Sequence, residues 1–173
     1  ARRPHHPLCP VPGFETVVNL TLVGAATARG IFGQYALDMP HRARFTHVAE
    51  PDEARRAQFM AQHRIPAARA HADYRELFAS DLSGLDGVVV ATLEDLRAEP
   101  VQLAMRHGLA ILVEKPLATS PEAFIRFYDA AAAYDGICIV CHQMRLVACY
   151  STLKDLVASG SYGEIVTVQH SEN

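Results

Sequence analysis

Short apolar segments alternate with longer amphipathic stretches along almost the whole chain. Residues 18–23 predict a first strand, followed by Gly24 and a helix running through Leu37. Residues 44–49 predict a second strand. A helix over 51–63 opens on Pro51-Asp52-Glu53, where proline fits the first turn and acids favour the positive end of the helix dipole. A short strand is expected at 69–71 and a short helix at 74–79. The run 87–91 is apolar and rich in β-branched residues, which predicts a strand buried on both faces. Residues 96–107 predict a helix that stops at Gly108, a C-cap residue able to adopt positive φ. A further buried strand follows at 109–113. Ser120-Pro121-Glu122 starts a helix that reaches about Tyr134. Asp135-Gly136 turns the chain into a strand at 137–141. A last helix covers 146–159, closed by Gly160, and 165–170 predicts a final strand with no partner left in the chain.

Strands alternating with helices of this length imply βαβ units. Their right-handed crossovers place helices on both faces. The expected fold class is α/β, a doubly wound parallel sheet. Ligands in such sheets bind outside the carboxyl ends of the strands, near the point where strand order reverses. The candidate chemistry therefore lies at the strand ends.

Composition narrows the function classes. The 173 residues are 50% hydrophobic and 20% charged, enough to bury a core. A net charge of −3 gives no reason to expect a nucleic acid or an anionic membrane as partner. No apolar run is long enough to span a bilayer, and the N-terminal arginines lack a following apolar segment, so no signal peptide is indicated. Residues 1–16 read as a loose arm. The four cysteines are Cys9, Cys138, Cys141 and Cys149. Cys138-x-x-Cys141-His142 has a spacing seen in metal and redox sites. Within a strand, however, residues three apart face opposite sides, so the cysteines read as core residues and no metal site is expected. Nothing suggests a secreted disulfide framework, and a cytoplasmic setting is expected.

The first strand ends in Gly24-Ala25-Ala26-Thr27-Ala28-Arg29-Gly30, where a dinucleotide-binding loop belongs. The pattern G-x-G-x-x-G is only partly met. Ala26 stands at the second glycine, where a methyl group crowds the approach to a pyrophosphate, and Arg29 stands at the third. An ordinary βα turn explains the loop equally well. The second strand ends in Glu50, 20 residues after Gly30, where an acid is expected to hold the adenosine ribose hydroxyls. A carboxylate there repels a 2′-phosphate and favours NAD over NADP. It reads alternatively as a helix-start acid. Thr92, after the strand at 87–91, either faces the nicotinamide side of the cleft or caps a helix. Glu114-Lys115-Pro116-Leu117-Ala118 follows the strand at 109–113 and aims two charges at the ligand crevice. A lysine there can donate to a substrate oxygen. A solvated turn with a salt bridge is the competing explanation.

Taken in order, these segments resemble the Gfo/Idh/MocA oxidoreductase family over about 17–173. The likeness rests on the Val-Gly-Ala loop at Gly24, Val48-Ala-Glu-Pro51, Asp86-Gly-Val-Val-Val-Ala-Thr92, Ala98-Glu99-Pro100, His142-x-x-Arg145 and Gly160-x-x-Gly163-Glu164-Ile165. Glu114-Lys-Pro-Leu-Ala118 is its most specific part. The resemblance implies a Rossmann domain over 17–145, then a linking helix and first strand of a second α/β domain over 146–173. It implies hydride transfer between NAD(P), with NAD favoured, and a sugar- or polyol-like substrate. Lys115 corresponds to the catalytic lysine. Gly24, Ala26, Thr27, Ala28 and Arg29 form the phosphate loop and Glu50 the ribose-binding acid. Thr92 lines the cleft, and Arg145 lies near nicotinamide and substrate. Glu114 and Pro116 shape the nicotinamide pocket, with a cis Lys-Pro bond. Three departures stand out: the missing middle glycine, Arg97 where a histidine is usual, and the family's second catalytic motif, an Asp and a His of the second domain, which the 173 residues do not contain. Lys115 would then be half of an active site.

Two other readings stay open. One is NAD-dependent glycoside hydrolysis, performed by some relatives of the family. The other is a non-catalytic Rossmann binding or scaffold protein. A homo-oligomer or a partner chain would then pair along the edge strand at 165–170.

Overall fold

The structure is a computed structural model, and it describes residues 16–25 and 29–171. The chain divides into two compact units, the first ending at Val140 and the second beginning at Cys141.

The strands are β1 (Val18–Val23), β2 (Ala43–Ala49), β3 (Ala70–His71), β4 (Gly87–Val90), β5 (Ala110–Glu114) and β6 (Cys138–Cys141). They form one sheet in the order β3-β2-β1-β4-β5-β6. β1 pairs in parallel with both β2 and β4, β2 with β3, and β4 with β5. β6 joins the edge where the Ile111 N–H donates to the Ile137 carbonyl at 2.8 Å. The chain starts in the middle, winds outward through β2 and β3, then crosses back to β4. That reversal places the switch point between β1 and β4.

Alternation along the central strands sorts their side chains onto two faces. Val88 and Val90 enter one buried cluster with Ile111 and Val113, covered by Leu77 and Phe78 of α3 (Tyr74–Ala79), Val101 and Ala104 of α4 (Ala98–Arg106), and Phe127 of α5 (Pro121–Ala132). Val89 enters the other cluster with Leu22, Phe45 and Val48, covered by Ala36 of α1 (Gln34–Asp38) and Phe59 of α2 (Glu53–His63). Helices on both faces make this the expected doubly wound α/β fold.

Helix starts follow local chemistry. Asp52 caps α2 by accepting from the Arg55 N–H at 2.8 Å, and Ser120 caps α5 by accepting from the Ala123 N–H at 3.2 Å. Gly108, with φ +69°, ends the α4 turn in a conformation other residues adopt only at a cost.

Three expectations are corrected. The single helix expected after Gly24 and through Leu37 is, from Arg29 onward, a wide π-type turn at Arg29–Gly33 followed by the short α1. Gly30 and Gly33 lower helix propensity where that turn forms. The helix at 96–107 is a 3₁₀ turn at Glu94–Leu96 and then α4. Pro100 has no N–H to donate to the Leu96 carbonyl, so the α-helical ladder cannot extend further toward the N-terminus. The strand at 165–170 is not formed, and Val166 and Val168 are 89% and 78% exposed. A strand needs a neighbour to satisfy its ladder, and no described residue supplies one. The partner pairing expected along that strand therefore has no preformed edge.

In the second unit a 3₁₀ turn at Gln143–Leu146 leads into α6 (Ala148–Ala158). Tyr150 Oη lies 2.9 Å from His170 Nε2 and ties the tail to that helix. In the first unit Cys138 packs against the cluster under α5, and burial pushes its thiol pKa up. Among the described residues no helix is long and apolar enough to cross a membrane.

Candidate functional site

The carboxyl ends of β1, β2, β4 and β5 carry Gly24, Glu50, Thr92 and Lys115 around the switch point. Gly24 is built into that junction. Its N–H donates to the Ala49 carbonyl at 2.9 Å, and the neighbouring Ala91 N–H donates to the Val23 carbonyl at 2.8 Å. Its φ is +86°, and a Cβ placed on it would lie 2.8 Å from both Ala91 O and Thr92 N. The end of β4 thus runs directly against the loop, and only glycine leaves room for it. Ala26, Thr27 and Ala28 lie outside the described residues. Arg29 begins the π-type turn, and only its backbone is described.

Glu50 follows β2 and is only 2% exposed. Its Oε2 accepts from the Ala25 N–H inside the loop. Its Oε1 accepts from the Asp52 N–H at 3.0 Å and from Arg55 through Nε at 3.2 Å and Nη2 at 3.1 Å. Arg56 donates to the Glu50 main-chain carbonyl. A carboxylate offers about four acceptor positions, so protein donors take most of them. The acid braces the loop, and one acceptor position on Oε2 stays open.

Thr92 follows β4. Its Oγ1 is buried with no hydrogen-bond partner among the described residues. A buried hydroxyl without a partner costs about 1–3 kcal/mol. Behind it lies Arg97, a 6% exposed guanidinium. Its Nε donates to the Thr92 carbonyl at 3.0 Å, and its Nη1 donates to the Pro116 carbonyl. Thr119 Oγ1 donates to Asp95 Oδ1 at 2.8 Å across the same two loops. Lys115 is exposed, its bond to Pro116 is cis, and its N–H donates to Glu114 Oε2 at 3.0 Å.

The fold thus gathers Gly24, Glu50, Thr92, Glu114, Lys115 and Pro116 at one end of the sheet. Arg145 is an exposed residue of the 3₁₀ turn in the second unit. Arg55, which engages the acid, carries no mark of that role in the sequence, and Arg97 stands out there only as a departure from a pattern. An arginine next to a strand end, at a position where the pattern has histidine, was the available signal.

Residues 18–142 match the family described as "Oxidoreductase family, NAD-binding Rossmann fold". The chain is 30% identical over 128 residues to an inositol 2-dehydrogenase of Corynebacterium glutamicum, covering 73% of this chain and 37% of that protein. The chain therefore spans little more than a third of that relative's length. Among solved structures, the WlbA dehydrogenase of Bordetella pertussis in complex with NADH and UDP-GlcNAcA has a TM-score of 0.78 at 20% identity, covering 89% of this chain and 45% of that one. The scyllo-inositol dehydrogenase of Lactobacillus casei with bound NAD(H) and scyllo-inositol has a TM-score of 0.76 at 17% identity, covering 86% and 43%. These two likenesses carry the fold, and the family match carries the membership: the chain belongs to the Gfo/Idh/MocA oxidoreductase family, through its NAD-binding Rossmann fold.

Proposed function

We propose that the chain binds NAD and forms the nucleotide-binding part of an oxidoreductase that moves a hydride between the nicotinamide and a sugar- or polyol-like substrate. The observation that carries this reading is the unpartnered, buried Thr92 hydroxyl beside Gly24 at the switch point. It is a polar cradle at the place where open α/β sheets take ligands. In this reading Gly24, Ala26, Thr27, Ala28 and Arg29 line the pyrophosphate, and Glu50 holds the adenosine ribose. Thr92, Glu114 and Pro116 border the nicotinamide; a role for Arg145 near the cofactor rests on the family resemblance alone. Residues 17–145 form the nucleotide-binding domain, and 146–173 lead into the substrate-binding part.

When bound, the dinucleotide supplies the hydride acceptor or donor. The chain's own contribution is position and proton handling. In oxidation, Lys115 Nζ takes the proton that a substrate hydroxyl releases; in reduction it returns a proton to the carbonyl oxygen. Its place at the end of a buried strand keeps it at the crevice, and the Arg97 bonds to the Thr92 and Pro116 carbonyls hold the crevice walls together. A carboxylate at Glu50 disfavours a 2′-phosphate, which favours NAD over NADP. A cytoplasmic setting, where such a cofactor pool is available, suits this chemistry.

Calorimetric titration of the chain with NAD and NADP tests the reading. NAD binding with a weaker NADP response is expected. Absence of binding by either at millimolar concentration overturns it, and tighter NADP binding removes the assigned role of Glu50. Lys115→Ala is expected to leave NAD affinity within a few-fold while lowering turnover by about 10²-fold or more in hydride-transfer assays with polyols, run on a protein that carries this chain together with a substrate-binding domain. Unchanged turnover would take Lys115 out of the chemistry.

A further inference from the structure

We propose that Arg97 is a positioning residue that sets the nicotinamide side of the crevice by clamping the two loops that form its walls. The inference rests on the cofactor reading above.

Arg97 is almost fully buried, yet among the described residues it makes no ion pair. Its recorded partners are two main-chain carbonyls, Thr92 at the end of β4 and Pro116 after β5. These carbonyls lie on adjacent strand ends, one beside the unpartnered Thr92 hydroxyl and the other directly after Lys115. Burying a guanidinium is costly, and an apolar side chain of similar volume would fill a plain packing position at least as well. What an apolar residue cannot do is donate to both carbonyls at once. Lysine carries its donors at a single point, and neutral imidazole offers only one donor. The planar fork of arginine spans the gap. Thr119 and Asp95 make a second tie across the same loops at 2.8 Å. The chain therefore holds the Lys115–Pro116 turn at a fixed separation from Thr92 through two independent ties, and Arg97 supplies the buried one.

The position of Arg97 predicts a selective defect. In the cofactor reading, Glu50 would hold the adenosine ribose from the end of β2, separated from the clamped ends of β4 and β5 by β1, whereas Thr92 and Pro116 would border the nicotinamide. The test is paired titration of the chain with NADH, followed by its fluorescence, and with ADP-ribose, which lacks nicotinamide. Arg97→Met is expected to weaken NADH binding about tenfold, the loss of roughly one charge-assisted contact network, while ADP-ribose affinity changes less than about twofold. The emission of bound NADH should move toward that of free NADH. Arg97→Lys should recover part of the NADH affinity. Thr119→Val, at an exposed position, breaks the second tie without touching the buried charge and should weaken NADH selectively by several-fold. If Arg97→Met fails to fold, Arg97→Lys and Thr119→Val decide the matter. A NADH to ADP-ribose affinity ratio that matches wild type in the folded variants overturns the clamp. Failure of the wild-type chain to bind either ligand overturns instead the cofactor reading on which the clamp depends.

Discussion

At Gly24 the backbone accepts no side chain, because both its conformation and the neighbouring strand forbid one. Gly24→Ala is expected to cost about 1–2 kcal/mol from the positive φ alone, with further displacement of the β4 end. Urea unfolding should show a lowered midpoint, and NAD affinity should fall with it. An unchanged midpoint would mean that the loop relaxes freely and is not a fixed cradle. Glu50 is a different kind of constraint. Its two oxygens face donors on both sides: the Ala25 N–H on one, and the Asp52 N–H and Arg55 on the other. Glu50→Gln places an amide donor against one of those sets in either orientation, and is expected to destabilise the fold by about 1–3 kcal/mol. Equal stability of the two forms in urea would remove the bracing role. The position of Glu50 after β2 was readable from the spacing of strand and acid. Its inward-facing partners were not, because Ala25 and Arg55 meet it only through the pairing of β1 with β2 and the start of α2.

Two histidines sit inside the elements that cover one another. His47 on β2 is 1% exposed, with its Nε2 lacking a partner. Burial holds its pKa below 6.5, the nearby Arg69 and His71 charges lower it further, and Asp81 pulls the other way. His63, at the end of α2, packs its ring 4.2 Å from that of Phe59, and burial likewise lowers its pKa from 6.5. Both bases are neutral in the fold and take up protons more readily once unfolded. Their contribution to stability is fully present above pH 6.5 and is lost as pH falls through the lower folded-state values. Thermal unfolding followed between pH 7.5 and 5 should show a falling midpoint, with a shallower slope in a His63→Phe variant. A flat profile would mean that neither group is held neutral by the fold. The helix caps belong with these elements. Ser120→Ala removes the side-chain acceptor for the Ala123 N–H and is expected to cost about 0.5–2 kcal/mol in urea unfolding, whereas no loss would mean that α5 is held by Phe127 packing alone. Such caps were legible because they depend on residues three positions apart. The π-type turn at Arg29–Gly33 was not, because a helical period with two glycines does not reveal which hydrogen-bond pattern the chain chooses.

For the chain as a whole, the proposed ligand offers a direct thermodynamic handle. NAD at 100 times its dissociation constant should stabilise the folded state by about 2.7 kcal/mol. A thermal midpoint that rises with NAD concentration checks this, and a midpoint indifferent to saturating NAD would show that the dinucleotide does not bind the folded chain. The sequence by itself determined the alternation of strands and helices, the doubly wound sheet and the strand ends where chemistry belongs. Periodicity, caps and turn residues are local, and crossover handedness turns them into topology. The apolar run at 87–91 already declares a strand buried on both faces, and Val88 and Val90 enter one cluster while Val89 enters the other. Only the tertiary structure decided that Glu50 is braced from both sides, that Thr92 keeps an unpartnered hydroxyl, and that Arg97 joins Thr92 to Pro116 across neighbouring strands. It also decided that 165–170, strand-like in composition, forms no strand. In each case the outcome depends on which distant group stands within hydrogen-bond reach. That is set by how the crossovers stack β1, β4 and β5, and no local pattern of residues encodes it.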